Sequence, residues 1–194
     1  NGNINVQGNT RLLNGRGIDI FNSSGITITN LGTITTAGDD PYDIYLRDAS
    51  TLATLNNRQA GLTYYGKIPT NYNAVINSTS DYGKIIFSTV SGTTSFGIYA
   101  GSVLKSGTTY ASVIDGLKTA IITAGTSGDY SYDGRTWAWT LENSSANLWD
   151  LVVGDCIGCV KEDTIDTIEE IGDSIGTEFS QLSHKGASAT ASFA

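Results

Sequence analysis

The sequence predicts a mainly β chain: short parallel β-helix rungs, then a β-rich core that is sandwich-like or an irregular solenoid, then a C-terminal amphipathic α-helix. Three observations predict it. Gly, Thr, Ser and Asn together fill about two residues in five, a share that favours strands interrupted by many turns. Apolar residues recur at alternate positions in clusters too short for buried helices. The clusters also nearly repeat at the length of a solenoid rung.

Residues 1–60 carry the rung pattern. Ile4/Val6, Leu12/Leu13, Ile18/Ile20, Ile26/Ile28, Leu31/Ile34, Ile44/Leu46 and Leu52/Leu55 are short apolar pairs separated by Gly, Asn and Thr. Such pairs between turn residues predict very short strands. Ile4/Val6 returns as Ile26/Ile28 after 22 residues, and Ile18/Ile20 as Ile44/Leu46 after 26. Each turn of a parallel β-helix buries its apolar pairs against the next, which a drifting repeat of this kind supplies. Two or three rungs make a weak solenoid alone, so more rungs before Asn1 or a capping element are expected.

Residues 61–153 lengthen the strands and hold all three tryptophans, and therefore the main core. Strands are predicted over Asn73–Asn77, Gly83–Ser88, Ser95–Tyr99, Thr136–Leu141 and Leu148–Val153. Between them Tyr110, Val113, Ile114, Leu117 and Ile121 step by three and four, which predicts a short helix within Thr109–Ala124.

Residues 154–194 carry eight acidic and two basic groups. Ile165, Ile168, Ile171, Ile175, Phe179 and Leu182 recur at helical spacing, with acidic residues at the start where the helix dipole favours them. Gly172 and Gly176 each cost about 1 kcal/mol relative to Ala, so this helix needs a surface to pack on: its own domain or a neighbouring subunit. The small-residue tail, Gly186–Ala194, alternates apolar and polar residues and suits a free end or a strand added to another subunit's sheet.

Charge and chemistry narrow the function. The net charge is −8 without a basic block, so neither a nucleic-acid partner nor membrane insertion is expected. No apolar run approaches the roughly 18 residues of a membrane-spanning helix. The chain contains no methionine and starts at Asn1, which fits either a secreted product with a processed N-terminus or an excised domain. Cys156 and Cys159 form a lone C-x-x-C, without the second ligand pair of a structural zinc, and are disulfide candidates. His184 is the only histidine and stands far from any Gly-framed serine, so a Ser-His-Asp triad is absent, as is a phosphate loop. No metal or other cofactor is expected. Tyr64, Tyr65, Tyr72, Tyr99, Tyr110, Tyr130 and Tyr132 either form a carbohydrate-stacking face or are structural.

Two resemblances bear on these residues. Asn14–Asn30, followed by Gly38-Asp39-Asp40, resembles the catalytic rung of polygalacturonase-type glycoside hydrolases. That likeness implies Asp19, Asp39 and Asp40 as an acid and base group, since inverting hydrolysis uses carboxylates about 6.5–9.5 Å apart. It is the weaker alternative, because the first motif reads Asn14-Gly15-Arg16-Gly17 without its aspartate. The series Gly25–Ile34, Ala53–Gln59, Tyr64–Asn73, Tyr82–Lys84, Thr94–Ser102, Trp139–Leu141 and Leu148–Val153 is similar to the passenger region of autotransporters and related bacterial surface proteins. This second resemblance implies a β-helix at the cell surface, here without a translocator barrel.

The expected function is that of a secreted, non-enzymatic surface protein, structural or adhesive. It assembles into filaments or layers through β edges and C-terminal contacts, as a homo-oligomer or polymer, with a host or environmental glycan as a further partner. The alternatives are a carbohydrate-active or glycan-binding β-helix module and a phage or cell-surface fibre segment that holds glycans without cleaving them.

Overall fold

Asn3–Val6 (β1), Ile26–Asn30 (β4) and Leu52–Asn57 (β7) lie side by side as parallel strands, and Asn71–Ala74 (β9), Thr94–Ile98 (β11) and Ile122–Ala124 (β13) extend the same sheet. The computed structural model describes residues 3–6, 9–12, 16–36, 42–47 and 49–159, the first two stretches by their backbone alone. A second sheet takes the other limb of each rung: Arg16–Ile20 (β3), Tyr42–Leu46 (β6), Leu62–Lys67 (β8), Ile85–Ser91 (β10) and Thr109–Asp115 (β12), all parallel. Asn9–Leu12 (β2) and Thr33–Thr36 (β5) form a third, two-stranded face of the first rungs only. The result is a β-solenoid of about four turns. Both long sheets run through residue 60 without a break, since β7 pairs with β9 and β6 with β8.

The register explains what holds the coil. In the first sheet Ile28, Leu55, Tyr72 and Phe96 stand opposite one another on successive rungs, and all are buried. Ile44, Tyr64 and Phe87 form the corresponding column of the second sheet. Aromatic side chains thus replace Ile and Leu as the coil proceeds. Tyr72 meets Phe87 and Phe96 edge-on or tilted, with ring centres 6.4 and 6.0 Å apart, which ties the two sheets together. Ile18/Ile20 pairs with Ile44/Leu46 at the predicted 26-residue step. Ile4, however, pairs with Ile28 rather than Ile26, two residues beyond the predicted match.

At the turn after β4 and β7 the interior is polar. Asn30 and Asn57 are fully buried and in register, and the Asn30 amide donates to Asn57 Oδ1 at 3.2 Å. Asn57 Nδ2 in turn donates to the carbonyls of Gln59 (2.9 Å) and Lys84 (3.2 Å). A stacked amide ladder of this kind satisfies turn backbone that water cannot reach. It also needs room: a Cβ on Gly83 would stand 1.8 Å from the Asn57 carbonyl oxygen.

The segment predicted as a helix over Thr109–Ala124 is not one. Residues 109–115 form β12, followed by a 3-10 turn at Thr119–Ile121 and then β13. A bulge produced the helical spacing. Ser112 takes a positive φ of 58°, its N–H donates to Asp150 at 2.7 Å, and the register slips between Tyr110 and Ile114. The extra residue turns a period of two into a step of three, so Tyr110 and Val113 both face inward. Among the described residues there is no α-helix.

β12 also ends the parallel pairing of the second sheet. Leu148–Ile157 (β16) runs antiparallel to β12, and Arg135–Ser145 (β15) and Ser127–Tyr132 (β14) continue as a meander. The β14–β15 link is the two-residue loop Asp133-Gly134, both with positive φ, the geometry that matches the twist of a hairpin. Trp137, Trp139, Leu141, Trp149, Leu151 and Val153 are buried. Trp149 donates its indole N–H to the Leu117 carbonyl at 2.8 Å, fixing the meander to the coil. A separate unit begins at Gly158, of which Gly158 and Cys159 are described. The predicted helix residues Ile165, Ile168, Ile171, Ile175, Phe179 and Leu182, and His184, lie outside the described residues.

Candidate functional site

Strands that bury one face leave the other for solvent, and on β3, β6 and β8 that outer face is aromatic and charged. Along β6, Ile44 and Leu46 enter the core while Tyr45 stands out, and on β8 Tyr64 enters while Tyr65 stands out. Tyr45 and Tyr65 are in register, and their rings stack at 4.6 Å with an interplanar angle of 2°. Tyr42 closes on both, 5.8 Å from Tyr45 and 4.9 Å from Tyr65. All three tyrosines are half-buried, so each keeps part of its ring surface open to water.

Charged groups frame the stack. The Arg16 guanidinium lies 3.7 Å from the centre of the Tyr45 ring and Arg47 lies 6.0 Å from it, both within cation–π range. Asp19, in register with Tyr45, accepts from Arg47 Nε at 2.7 Å, from Arg47 Nη2, and from Arg16 at 3.3 Å. Arg47 foremost, and Arg16 with it, holds the Asp19 carboxyl below the ordinary carboxylate value against a smaller upward effect of burial. Asp19 is therefore ionised at neutral pH, a state that suits a base or a charge clamp but not a proton donor. Asp39 and Asp40, its suggested partners, lie outside the described residues.

Next to the stack, Asp43 is buried beneath Gln59 and Thr63. It accepts the Thr63 N–H at 2.8 Å and the Gln59 amide at 3.3 Å. Burial raises its carboxyl above the ordinary value, and those hydrogen bonds oppose the rise. Its bonds knit β6 to β8 at Thr63 and to the turn before β8 at Gln59, and so fix where Tyr45 and Tyr65 meet.

A depression of about 310 Å³ continues from Tyr65 over Leu46, Gly66, Lys67, Thr89 and Ser91. Gly66 creates it. Its φ is +106° and a Cβ there would come within 2.3 Å of the Leu46 carbonyl oxygen, so the chain lies flat against β6 where a side chain would stand. On the neighbouring strand the register slips between Phe87 and Val90, and this bulge brings Thr89 and Ser91 to the rim.

The other tyrosines divide. Tyr64, Tyr72 and Tyr110 are fully buried and Tyr130 nearly so, whereas Tyr99 is half-buried and Tyr132 exposed. Tyr42, Tyr45, Arg16 and Arg47 were not among the predicted site residues. The 26-residue alignment contains the signal for them, because it sets Arg16 beside Tyr42 and Asp19 beside Tyr45. Cys156, on β16, and Cys159 are both disulfide-bonded. Among the described residues no group of His, Cys, Asp and Glu could hold a metal ion.

No family model, curated protein or solved structure matches the chain. The β-solenoid fold is the part of the autotransporter-passenger and polygalacturonase likenesses that the coordinates share.

Proposed function

We propose that this chain is an extracellular adhesive β-solenoid, a binder rather than an enzyme, that takes saccharide rings on the Tyr42–Tyr45–Tyr65 face. The observation that carries the reading is the outward stack of three half-buried tyrosines on adjacent rungs. The C–H face of a pyranose packs on an aromatic ring, and the Tyr65 ring, stacked by one face on Tyr45, is held ready to offer its other face. The Arg16–Asp19–Arg47 cluster supports it by placing hydrogen-bond donors at the edge of the stack. On a glycan array the wild type is expected to bind, and Tyr65→Ala to lose about tenfold in affinity, the equivalent of roughly 1.4 kcal/mol. An array on which the wild type binds no glycan, or on which the variant matches it, removes the reading.

A second reading is self-assembly through β edges, with the C-terminal segment contributing contacts. Its support is that β13 and β14 each stand at the edge of their sheet among the described residues, where unpaired backbone invites another strand. Light scattering is then expected to give a mass that grows with concentration above the 20.4 kDa of one chain. A constant monomer mass at every concentration overturns it.

A further inference from the structure

The depression beside Tyr65 has a chemistry of its own. Lys67 lines it from the end of β8, is exposed, and has no side-chain partner among the described residues. Its other walls are Leu46, Tyr65, Thr89, Val90, Ser91 and the bare backbone at Gly66, none of them anionic. Towards the stack, two guanidinium groups face the single carboxylate of Asp19. Among the described residues this face thus carries Arg16, Arg47 and Lys67 against Asp19 and the buried Asp43. Nothing in the fold needs that ammonium: β8 is held there by its backbone, with the Tyr64 hydroxyl donating to the Lys67 carbonyl and Ile68 N–H to Ser91.

We propose that this depression is the subsite for an anionic group of the glycan, so that the ligand is an acidic saccharide whose ring sits on Tyr65 while its carboxylate reaches Lys67. The inference rests on the glycan-binding reading and adds the ligand's charge to it. The geometry suits a uronic acid. Ring and carboxylate are one residue of the sugar, and Tyr65 and Lys67 line one depression, separated by the flat Gly66. Thr89 and Ser91 supply hydroxyls on the opposite rim that can bond the remaining sugar oxygens without repelling the charge.

The test is a titration followed by two-dimensional NMR with methyl β-glucuronide and methyl β-glucoside, which differ only in the carboxylate. Both are expected to shift the backbone signals of Tyr65 and its neighbours, the glucuronide binding about five- to tenfold more tightly, with the advantage shrinking as salt is added. Lys67→Gln, an exposed substitution that leaves the fold alone, is expected to abolish the difference and leave glucoside binding unchanged. Tyr65→Ala is expected to weaken both ligands about tenfold. Equal affinities for the two sugars in the wild type, or a glucuronide advantage that survives Lys67→Gln, overturns the inference while leaving the glycan-binding reading standing. Failure of both sugars to shift Tyr65 at millimolar concentration counts against both.

Discussion

Replacing Trp149 by alanine is expected to cost about 3–5 kcal/mol, the range for deleting a buried aromatic side chain, and to lower the melting temperature by roughly 8–16 °C. Trp149 is 3% exposed and joins two different structures: it belongs to the antiparallel β16 but bonds the Leu117 carbonyl of the coil. Its loss leaves a cavity at the place where parallel pairing gives way to antiparallel pairing, and an unmet carbonyl beside it. Trp149→Phe separates the two contributions. It keeps most of the apolar volume and loses the N–H, so a smaller cost of about 1–2 kcal/mol is expected. Thermal unfolding followed by near-ultraviolet circular dichroism reads both variants. A Trp149→Ala protein melting within about 4 °C of the wild type would show that the meander is not anchored there.

The second large effect is expected at Asn57, where polarity rather than volume is at stake. Asn57→Ala removes an acceptor from the Gln59 N–H at 3.0 Å and from the Asn30 amide at 3.2 Å. The Asn30 amide keeps Gln59 Oε1 at 3.1 Å, and the Gln59 and Lys84 carbonyls keep backbone donors. One N–H of the buried Asn30 amide, the part-buried Gln59 N–H and a small void remain unmet, which amounts to about 2–3 kcal/mol. Asn57→Asp is nearly isosteric yet expected to be worse at neutral pH, because a buried carboxylate then faces those two carbonyls where the amide donated. The sign of its pH dependence follows. One oxygen of the new carboxyl keeps the Gln59 N–H and the Asn30 amide, but burial and the two carbonyls facing the other oxygen raise its folded-state value, so protonation favours the fold and the variant regains stability as pH falls towards 4. Melting temperatures at pH 4 and pH 7 check this, and an Asn57→Asp protein as stable as the wild type at pH 7 would remove the ladder from the list of what holds the coil.

Particular residues show how much of this was legible beforehand. Mainly β character and rungs were readable because apolar alternation reports strand faces directly. Register was readable only in part. A two-residue slip returns every side chain to the same face, so Ile4/Val6 matched Ile26/Ile28 as well as its true partners, and apolar pattern alone cannot choose. The choice falls to the turns, including the Asn30–Asn57 pair, whose partnership is a long-range fact. The false helix within Thr109–Ala124 has a similar origin, since a bulge at Ser112 imitates helical spacing. At the candidate site, Tyr64 and Tyr65 had to face opposite sides of a strand, and that alone could have sorted one inward and one outward. The stacking of Tyr45 on Tyr65 was hidden, because the rung between them is shorter than the repeat before it. Asp19 was noticed as a carboxylate in a strand, but its ion pairs depend on Arg47 from the next rung.

The unequal rungs have a consequence for how such a chain can change over generations. Register partners on adjacent rungs are separated by 17 residues from Thr54 to Asn71 and by 29 from Ile85 to Ile114, yet the sheets stay continuous. Only the short paired segments are constrained, and whatever lies between them is extruded at the corners, where added length costs little entropy. The exposed corner tips at residues 79–80 and 105–107 are therefore ports for insertion and deletion. A lineage can reshape one rim of the coil, and whatever that rim meets, while the buried columns of Ile, Leu, Tyr and Phe keep their places.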